Sequence, residues 1–305
     1  MSRVWSDGVI AGSLGAGSLA AGSLAAGFLA VVLLAAGPAR AQAPGAAPAA
    51  RVIDRCVLVV DVASGARVHR DGDCGARHAP ESTFKVPLAL IGFETGLLTG
   101  PHDPVWRYDG SFKAPKRDHK DVDPVIWERD SVVWFSRELV KRLAARDGAG
   151  AFGVWVARLN YGNQDVSGDP GKNNGLTNAW LSSSLKISPE EQTAFVRRLL
   201  RDDLPASAQA IGKTRAIIPE FAAEGGWTLH GKTGSSEVAK TADGRQDHGW
   251  FVGWAQKDGR TLAFAIHERT RNPPAGEAAG PRLRASVLRD FPKWAEQVGG
   301  ATTPK

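Results

Sequence analysis

Ser82-Thr-Phe-Lys85-Val-Pro87-Leu-Ala-Leu-Ile-Gly-Phe93-Glu-Thr-Gly96 is the stretch around which the rest of the chain arranges itself. Phe84, Val86, Leu88, Leu90, Ile91 and Phe93 are apolar nearly all round, which marks a helix buried on every side. Proline is tolerated only in an opening turn, so Pro87 sets the helix start close to Ser82, and the Gly96 region ends it. Two strands precede it: the apolar run Cys56-Val-Leu-Val-Val-Asp61, then Arg67–Arg70 after a Ser64-Gly65 turn. Residues 97–207 alternate helical patterns with polar loops. Val132–Ala145 is one helix, Asp147–Leu159 contains another, and Tyr161–Asn178 is a Gly/Asn/Asp-rich loop. A further helix opens at Ser188-Pro-Glu-Glu and runs through Leu200, with Ser188 as cap, Pro189 as first helical residue and Glu191 as capping-box partner. From Trp227 the apolar period becomes that of strands: Trp227–Gly234, His248–Gln256 and Thr261–His267, with turns at Asp243-Gly244 and Asp258-Gly259. Arg282–Val298 is a terminal helix. This order predicts an α/β fold of the α+β type, an antiparallel sheet flanked by helices with an all-α domain inserted into it. Residues 51–81 and 208–300 are assigned to the sheet domain and 82–207 to the helical domain.

The 305 residues are 43% hydrophobic and 23% charged, which excludes collagen-like, coiled-coil and disordered classes. A net charge of +6 is modest and its basic residues are scattered, so no nucleic-acid partner is expected. Residues 1–41 read as a secretory signal peptide. Arg3 precedes a nearly uncharged Ala/Gly/Leu/Ser stretch, Gly37-Pro38 breaks it, and Ala39-Arg-Ala41 or Ala41-Gln-Ala43 offers a small-residue cleavage pattern. The stretch is also long enough for a membrane anchor. Its strongly apolar part, Phe28–Ala36, is short and is closed by the cleavage pattern, which favours export and argues against stable membrane insertion. Residues 42–50 form a flexible leader. Export places the protein in the periplasm or outside the cell, an oxidising compartment. There Cys56 and Cys74, bracketing a hairpin, form either a disulfide or a pair of buried thiols. The sequence is compatible with a monomer or a homodimer.

The seven histidines (69, 78, 102, 119, 230, 248 and 267) show no metal-ligand spacing, nor do the two cysteines, so no metal is expected in the reaction. Two Ser-x-x-Lys matches occur, Ser82-Thr-Phe-Lys85 and Ser183-Ser-Leu-Lys186. In the first, the lysine follows the serine by one turn at the mouth of the buried helix, where free N–H groups favour a developing oxyanion. Burial disfavours the charged form of a lysine, so Lys85 can lose its proton and activate Ser82. The plainer alternative is a capping serine beside a snorkelling lysine. Lys186 sits in an extended segment and reads as an exposed lysine. Lys232-Thr-Gly234 lies on the first strand of the C-terminal trio, where it could hold a carboxylate against the strand.

With Ser131-Val-Val133, Tyr161-Gly-Asn163 and Trp180-Leu-Ser-Ser-Ser-Leu-Lys-Ile-Ser188 added in order, the mature chain resembles the class D (oxacillinase-type) serine β-lactamases. Gly249-Trp-Phe-Val-Gly-Trp254 and Leu283-Arg284-Ala are similar to that family's final strand and carboxylate-binding arginine. The resemblance implies that Ser82 opens a β-lactam and is acylated, and that Lys85 becomes N6-carboxylysine by taking up CO2 from bicarbonate, with no other cofactor. It further implies that Trp180 hydrogen-bonds this carbamate, Ser131 relays a proton to the leaving nitrogen and Val133 lines the pocket. Lys232, Thr233, Gly234 and Arg284, with Arg282 as competitor, would receive the substrate carboxylate. The backbone N–H groups of Ser82 and Ser235 would form the oxyanion hole, while Tyr161 and Asn163 shape the site. A penicillin-binding peptidase and a covalent β-lactam sensor domain are the neighbouring alternatives.

Overall fold

The structure, a computed structural model, describes residues 49–296. The signal-peptide and leader readings therefore lie almost wholly outside the described residues. Residues 51–61 form β1, Arg51–Asp61, a strand extending five residues before the apolar run. Its side chains alternate. Val57 and Val59 join one apolar cluster, whereas Cys56 and Leu58 pack with Cys74 on the opposite face. β2 (Arg67–Gly72) pairs antiparallel with β1. Cys56 and Cys74 are joined by a disulfide with Cα atoms 5.1 Å apart. Closing this hairpin removes freedom from the unfolded chain. Replacing both cysteines by Ser is therefore expected to lower unfolding stability by about 3 kcal/mol in a denaturant titration; an unchanged midpoint would contradict it.

The helical segment follows. A 3-10 turn (Glu81–Phe84) leads into α1 (Lys85–Glu94), whose residues 85–93 are all buried. Pro87 falls in the first turn of α1, where its missing N–H has no partner to lose. α2 (Pro124–Asp130), α3 (Val133–Asp147), α4 (Ala151–Arg158) and the single turn α5 (Gly175–Asn178) come next. α6 (Pro189–Leu200) opens with the expected capping box: Ser188 Oγ accepts from Glu191 N while Glu191 accepts from Ser188 N. α7 (Ala208–Ile217) packs against α1.

The chain then returns to the sheet as β3 (Glu220–Ala222), β4 (Thr228–Ser235), β5 (Ala239–Thr241), β6 (Gly244–Lys257) and β7 (Arg260–Arg271), closed by α8 (Ala279–Ala295). Among the described residues the strand order is β2-β1-β7-β6-β4-β3, with β5 beside β6 and every pairing antiparallel. The Asp258-Gly259 turn has both residues at positive φ (49° and 76°), the conformation a tight β6–β7 hairpin requires. Two short strands were not expected. β5 is exposed throughout and β3 is exposed at two of its three positions, so neither carries an apolar alternation. As a result Asp243-Gly244 joins β5 to β6 rather than joining two long strands.

The sheet separates two cores. On one face Leu283, Val287, Phe291 and Ala295, spaced by four along α8, pack with Val57, Leu229 and Phe264. On the other, Trp250, Val252 and Ala265 join the core of α1, α3, α4 and α6. This second core leads directly into the site, because β4 runs alongside the 3-10 turn that opens α1.

Candidate active site

Backbone geometry aims the serine. Glu81 sits at φ 51°, in the left-handed region, a conformation that costs about 1–3 kcal/mol unless its surroundings hold it. They do so here. Glu81 N donates to Trp180 O (3.0 Å), and Glu81 Oε1 accepts from Ser182 N (2.9 Å) and Ser182 Oγ (2.6 Å). Ser82, the next residue, is half-buried, and Lys85 Nζ donates to its Oγ at 3.1 Å. Lys85 itself is 1% exposed. Burial, reinforced by the charge of Lys232, pushes its pKa down to about 7, while Glu128, Asp118 and Glu81 pull it upward. The ammonium is thus poised to lose its proton near neutrality.

The helical side and the sheet side meet over this pair. Ser131 adopts the left-handed conformation (φ 61°) at the end of α2, and its Oγ accepts from Lys232 Nζ at 3.0 Å. Lys232, on β4, also donates to Thr233 O, and burial pushes its pKa down, with Arg284 adding to this and Glu128 opposing it. β4 approaches the opening of α1 so closely that a Cβ at Gly234 would lie 2.9 Å from Pro80 O; only glycine fits there without displacing backbone. Ser235 Oγ accepts from Gly280 N (2.8 Å), which ties β4 to the start of α8. The resulting cleft, about 510 Å³, is lined by Ser82, Ser131, Val133, Thr233, Ser235 and Arg284, and at its rim Arg117 pairs with Asp118 while Lys120 and Arg129 pair with Asp130.

Trp180 is 1% exposed and stacks on Phe84 at 5.5 Å between ring centroids, yet its Nε1 has no hydrogen-bond partner. A buried indole N–H normally finds an acceptor, so this donor is left unsatisfied, as is the Nε1 of Trp227 in the opposite core.

Other expected residues occupy supporting positions. Tyr161 is fully buried and donates to Gln192 Oε1 at 3.2 Å; Gln192 in turn donates to Thr83 Oγ1, and Thr83 Oγ1 to Pro80 O. Tyr161 therefore fixes the residue after the serine. Asn163 accepts from Lys186 N and donates to Ser184 O, stitching its loop to the segment that follows Trp180. Neither lines the cleft. Arg282 is committed elsewhere, donating to both Asp247 oxygens and to Thr270 Oγ1, which leaves Arg284 as the α8 cation in the cleft. In the second Ser-x-x-Lys match, Ser183 Oγ is bonded to Asp169 instead of to Lys186.

Glu128 is the residue that sequence reasoning missed. It is 0% exposed on α2, neither carboxylate oxygen has a hydrogen-bond partner, and burial pushes its pKa up against the pull of Lys232 and Lys85. Its place on the inward face of α2, one turn before Ser131, was the available signal.

A serine held by a buried, deprotonatable lysine beside a Lys-Thr-Gly strand, on an antiparallel sheet with an inserted helical segment, defines a serine acyl-transfer enzyme. Residues 56–293 match the penicillin binding protein transpeptidase domain family. Within that fold the chain belongs to the class D β-lactamases. It is 41% identical over 247 residues to β-lactamase OXA-9 of Klebsiella pneumoniae, covering 78% of this chain and 87% of that protein. It is 33% identical over 222 residues to β-lactamase OXA-1 of Escherichia coli, covering 72% and 77%. The crystal structure of the class D β-lactamase OXA-427 superposes with a TM-score of 0.69 at 39% identity, covering 78% of this chain and 97% of that one.

Proposed function

We propose that the enzyme hydrolyses the β-lactam amide of penicillins and related antibiotics through an acyl-enzyme on Ser82, with Lys85 working as its N6-carboxy derivative. The observation that carries this reading is Ser82 Oγ, 3.1 Å from the Nζ of a wholly buried lysine. The unpartnered Trp180 Nε1 fits a carbamate on Lys85: the anion would accept this N–H and would replace a costly buried ammonium. When formed from CO2, that group supplies an oxygen base for the Ser82 proton.

The chain's own residues account for the remaining steps. Ser82 Oγ forms a bond to the lactam carbonyl carbon, and the backbone N–H groups of Ser82 and Ser235 stabilise the oxyanion. As the C–N bond breaks, Ser131 Oγ, held by Lys232, passes a proton to the ring nitrogen and is reprotonated with the one that Ser82 gave up. Lys232, Thr233 and Arg284 hold the substrate carboxylate, Gly234 keeps the strand close to the serine, and Val133 packs against the ligand. Water then attacks the ester carbonyl, releases the opened product as a carboxylic acid and restores the Ser82 hydroxyl. Export by the 1–41 segment would place the enzyme in the periplasm or outside the cell, where it would meet these antibiotics. The described residues contain no helix long and apolar enough to cross a membrane.

Mixing purified protein with a chromogenic cephalosporin tests the reading. Sustained turnover is expected; a single stoichiometric burst would indicate a peptidase or sensor instead. Trp180→Ala, which removes the carbamate's donor, is expected to slow deacylation more than acylation. Acyl-enzyme should then accumulate in a mass spectrum, and equal losses in both steps would contradict the role given to Trp180.

A further inference from the structure

The buried carboxylates among the described residues are Glu81, Asp118, Asp123, Asp247 and Glu128. Four of them have partners. Glu81 accepts from Ser182 N, Asp118 faces Arg117, Asp123 accepts from Ile126 N and Asp247 accepts from Arg282. Glu128 is the exception: it is 0% exposed and neither of its oxygens is hydrogen-bonded. A buried carboxylate held ionised with no donor is among the costliest arrangements in a protein interior. The charges that face it and offset this cost are those of Lys232 on β4 and Lys85 on α1. Its place on α2 is one turn before Ser131, whose Oγ accepts from the same Lys232.

We propose that Glu128 is the charge-balancing acid of the site, gaining one proton as Lys85 turns from amine to carbamate. The proposal rests on the carbamate reading given above, and the charge inventory carries it. With a neutral amine at Lys85, the Lys232 cation and the Glu128 anion offset each other. With a carbamate at Lys85, Lys232 already faces one anion, and an ionised Glu128 would be a second with no donor of its own. Asp118 and Glu81, the other acids whose charge acts on Lys85, keep the partners named above and have no need to change state. Glu128 is therefore the group that protonation relieves most.

The step balances. The Lys85 nitrogen forms a bond to the carbon of CO2, one C=O electron pair moves onto oxygen, the nitrogen loses one proton and Glu128 gains one. The net charge of the site is unchanged and no proton reaches solvent. Burial pushes the Glu128 carboxyl up to about 7 and the Lys85 ammonium down to about 7, so the two groups exchange protons in one range. Glu128 does not line the cleft and acts through Lys85 alone. A consequence follows from linkage. Without an acceptor, forming a carbamate from a neutral amine releases one proton, and the affinity for CO2 rises about tenfold per pH unit. With Glu128 taking that proton, the affinity is level on the alkaline side of the range, where both groups start deprotonated.

Carbamate occupancy of CO2-stripped enzyme, read from its 13C resonance at fixed dissolved CO2 on that alkaline side, tests the proposal. Wild-type affinity should change by less than about twofold per pH unit, whereas that of Glu128→Gln should rise about tenfold per unit. The resonance of the variant also reports that its site is folded. Infrared difference spectra recorded on adding CO2 give a readout that needs no variant. The wild type should gain a protonated-carboxyl C=O band that shifts in D2O, and Glu128→Gln should lack it. Glu138→Gln, at the α3 surface pair with Arg142, should match the wild type in both measurements. A missing acid band beside a clear carbamate resonance, or equal slopes in wild type and Glu128→Gln, overturns the proposal and leaves the carbamate standing. Absence of the resonance from the wild type removes the carbamate, and the proposal with it.

Discussion

Ser82→Ala is expected to reduce β-lactam turnover by on the order of 10^4-fold or more while leaving the fold intact. That loss corresponds to roughly 5 kcal/mol or more of transition-state stabilisation, far beyond what one hydrogen bond contributes to folding. The size follows from the absence of a substitute nucleophile in the cleft. Ser131 Oγ is held by Lys232, and Ser235 Oγ is bonded to Gly280 N; neither is hydrogen-bonded to Lys85. Binding should survive, because Lys232, Thr233 and Arg284 are untouched. A fluorescence titration with a penicillin should give a dissociation constant within about tenfold of the wild-type KM, and mass spectrometry should show no covalent adduct. Thermal unfolding should shift only slightly, since the lost hydroxyl is half-buried and accepts one bond from Lys85. Retained turnover in a folded Ser82→Ala protein would remove the nucleophile from the account.

The parts legible in the sequence were those governed by local rules. The all-round apolar run from Phe84 to Phe93 became the buried α1; Ser188, Pro189 and Glu191 became the capping box of α6; and Asp258-Gly259 became the left-handed turn between β6 and β7. The Lys85–Ser82 contact was equally local, because three residues at a helix opening bring two side chains to one place. What stayed hidden depends on distant pairings. β3 and β5 are strands only because β4 and β6 offer them backbone partners. The division of labour between Arg282 and Arg284 turned on Asp247, thirty-five residues before Arg282 and on another element. Glu128 looked like an ordinary helix glutamate until α2 turned it inward.

Bicarbonate dependence is the second large effect. A carbamate forms only from a neutral amine, and Lys85 has its pKa pushed down to about 7. The sign follows directly. Below pH 7 the amine is increasingly protonated and CO2 is refused; above it the neutral form dominates. Activity without added bicarbonate should therefore fall as the solution is acidified through this range and should recover severalfold when bicarbonate is added at constant pH. Lys85→Ala should lose turnover by about 10^3-fold or more with no recovery, since neither amine nor carbamate is present to take the Ser82 proton. Protein equilibrated with 13C-bicarbonate should display one carbamate resonance that is missing from Lys85→Ala. Indifference of the wild type to bicarbonate across this window would leave the base as a free amine. Glu128 bears on the same range, because in its ionised form it raises the Lys85 pKa and opposes loss of the proton, although burial pushes its own carboxyl up to about 7 so that this charge fades on acidification. Glu128→Gln removes that charge while keeping a side chain of similar size. The acidic limb of its kcat/KM profile should move to lower pH, and its need for added bicarbonate near neutrality should lessen. A limb that stays in place would mean that Glu128 and Lys85 are electrostatically independent, and that burial with the Lys232 charge alone sets the acidity of the amine.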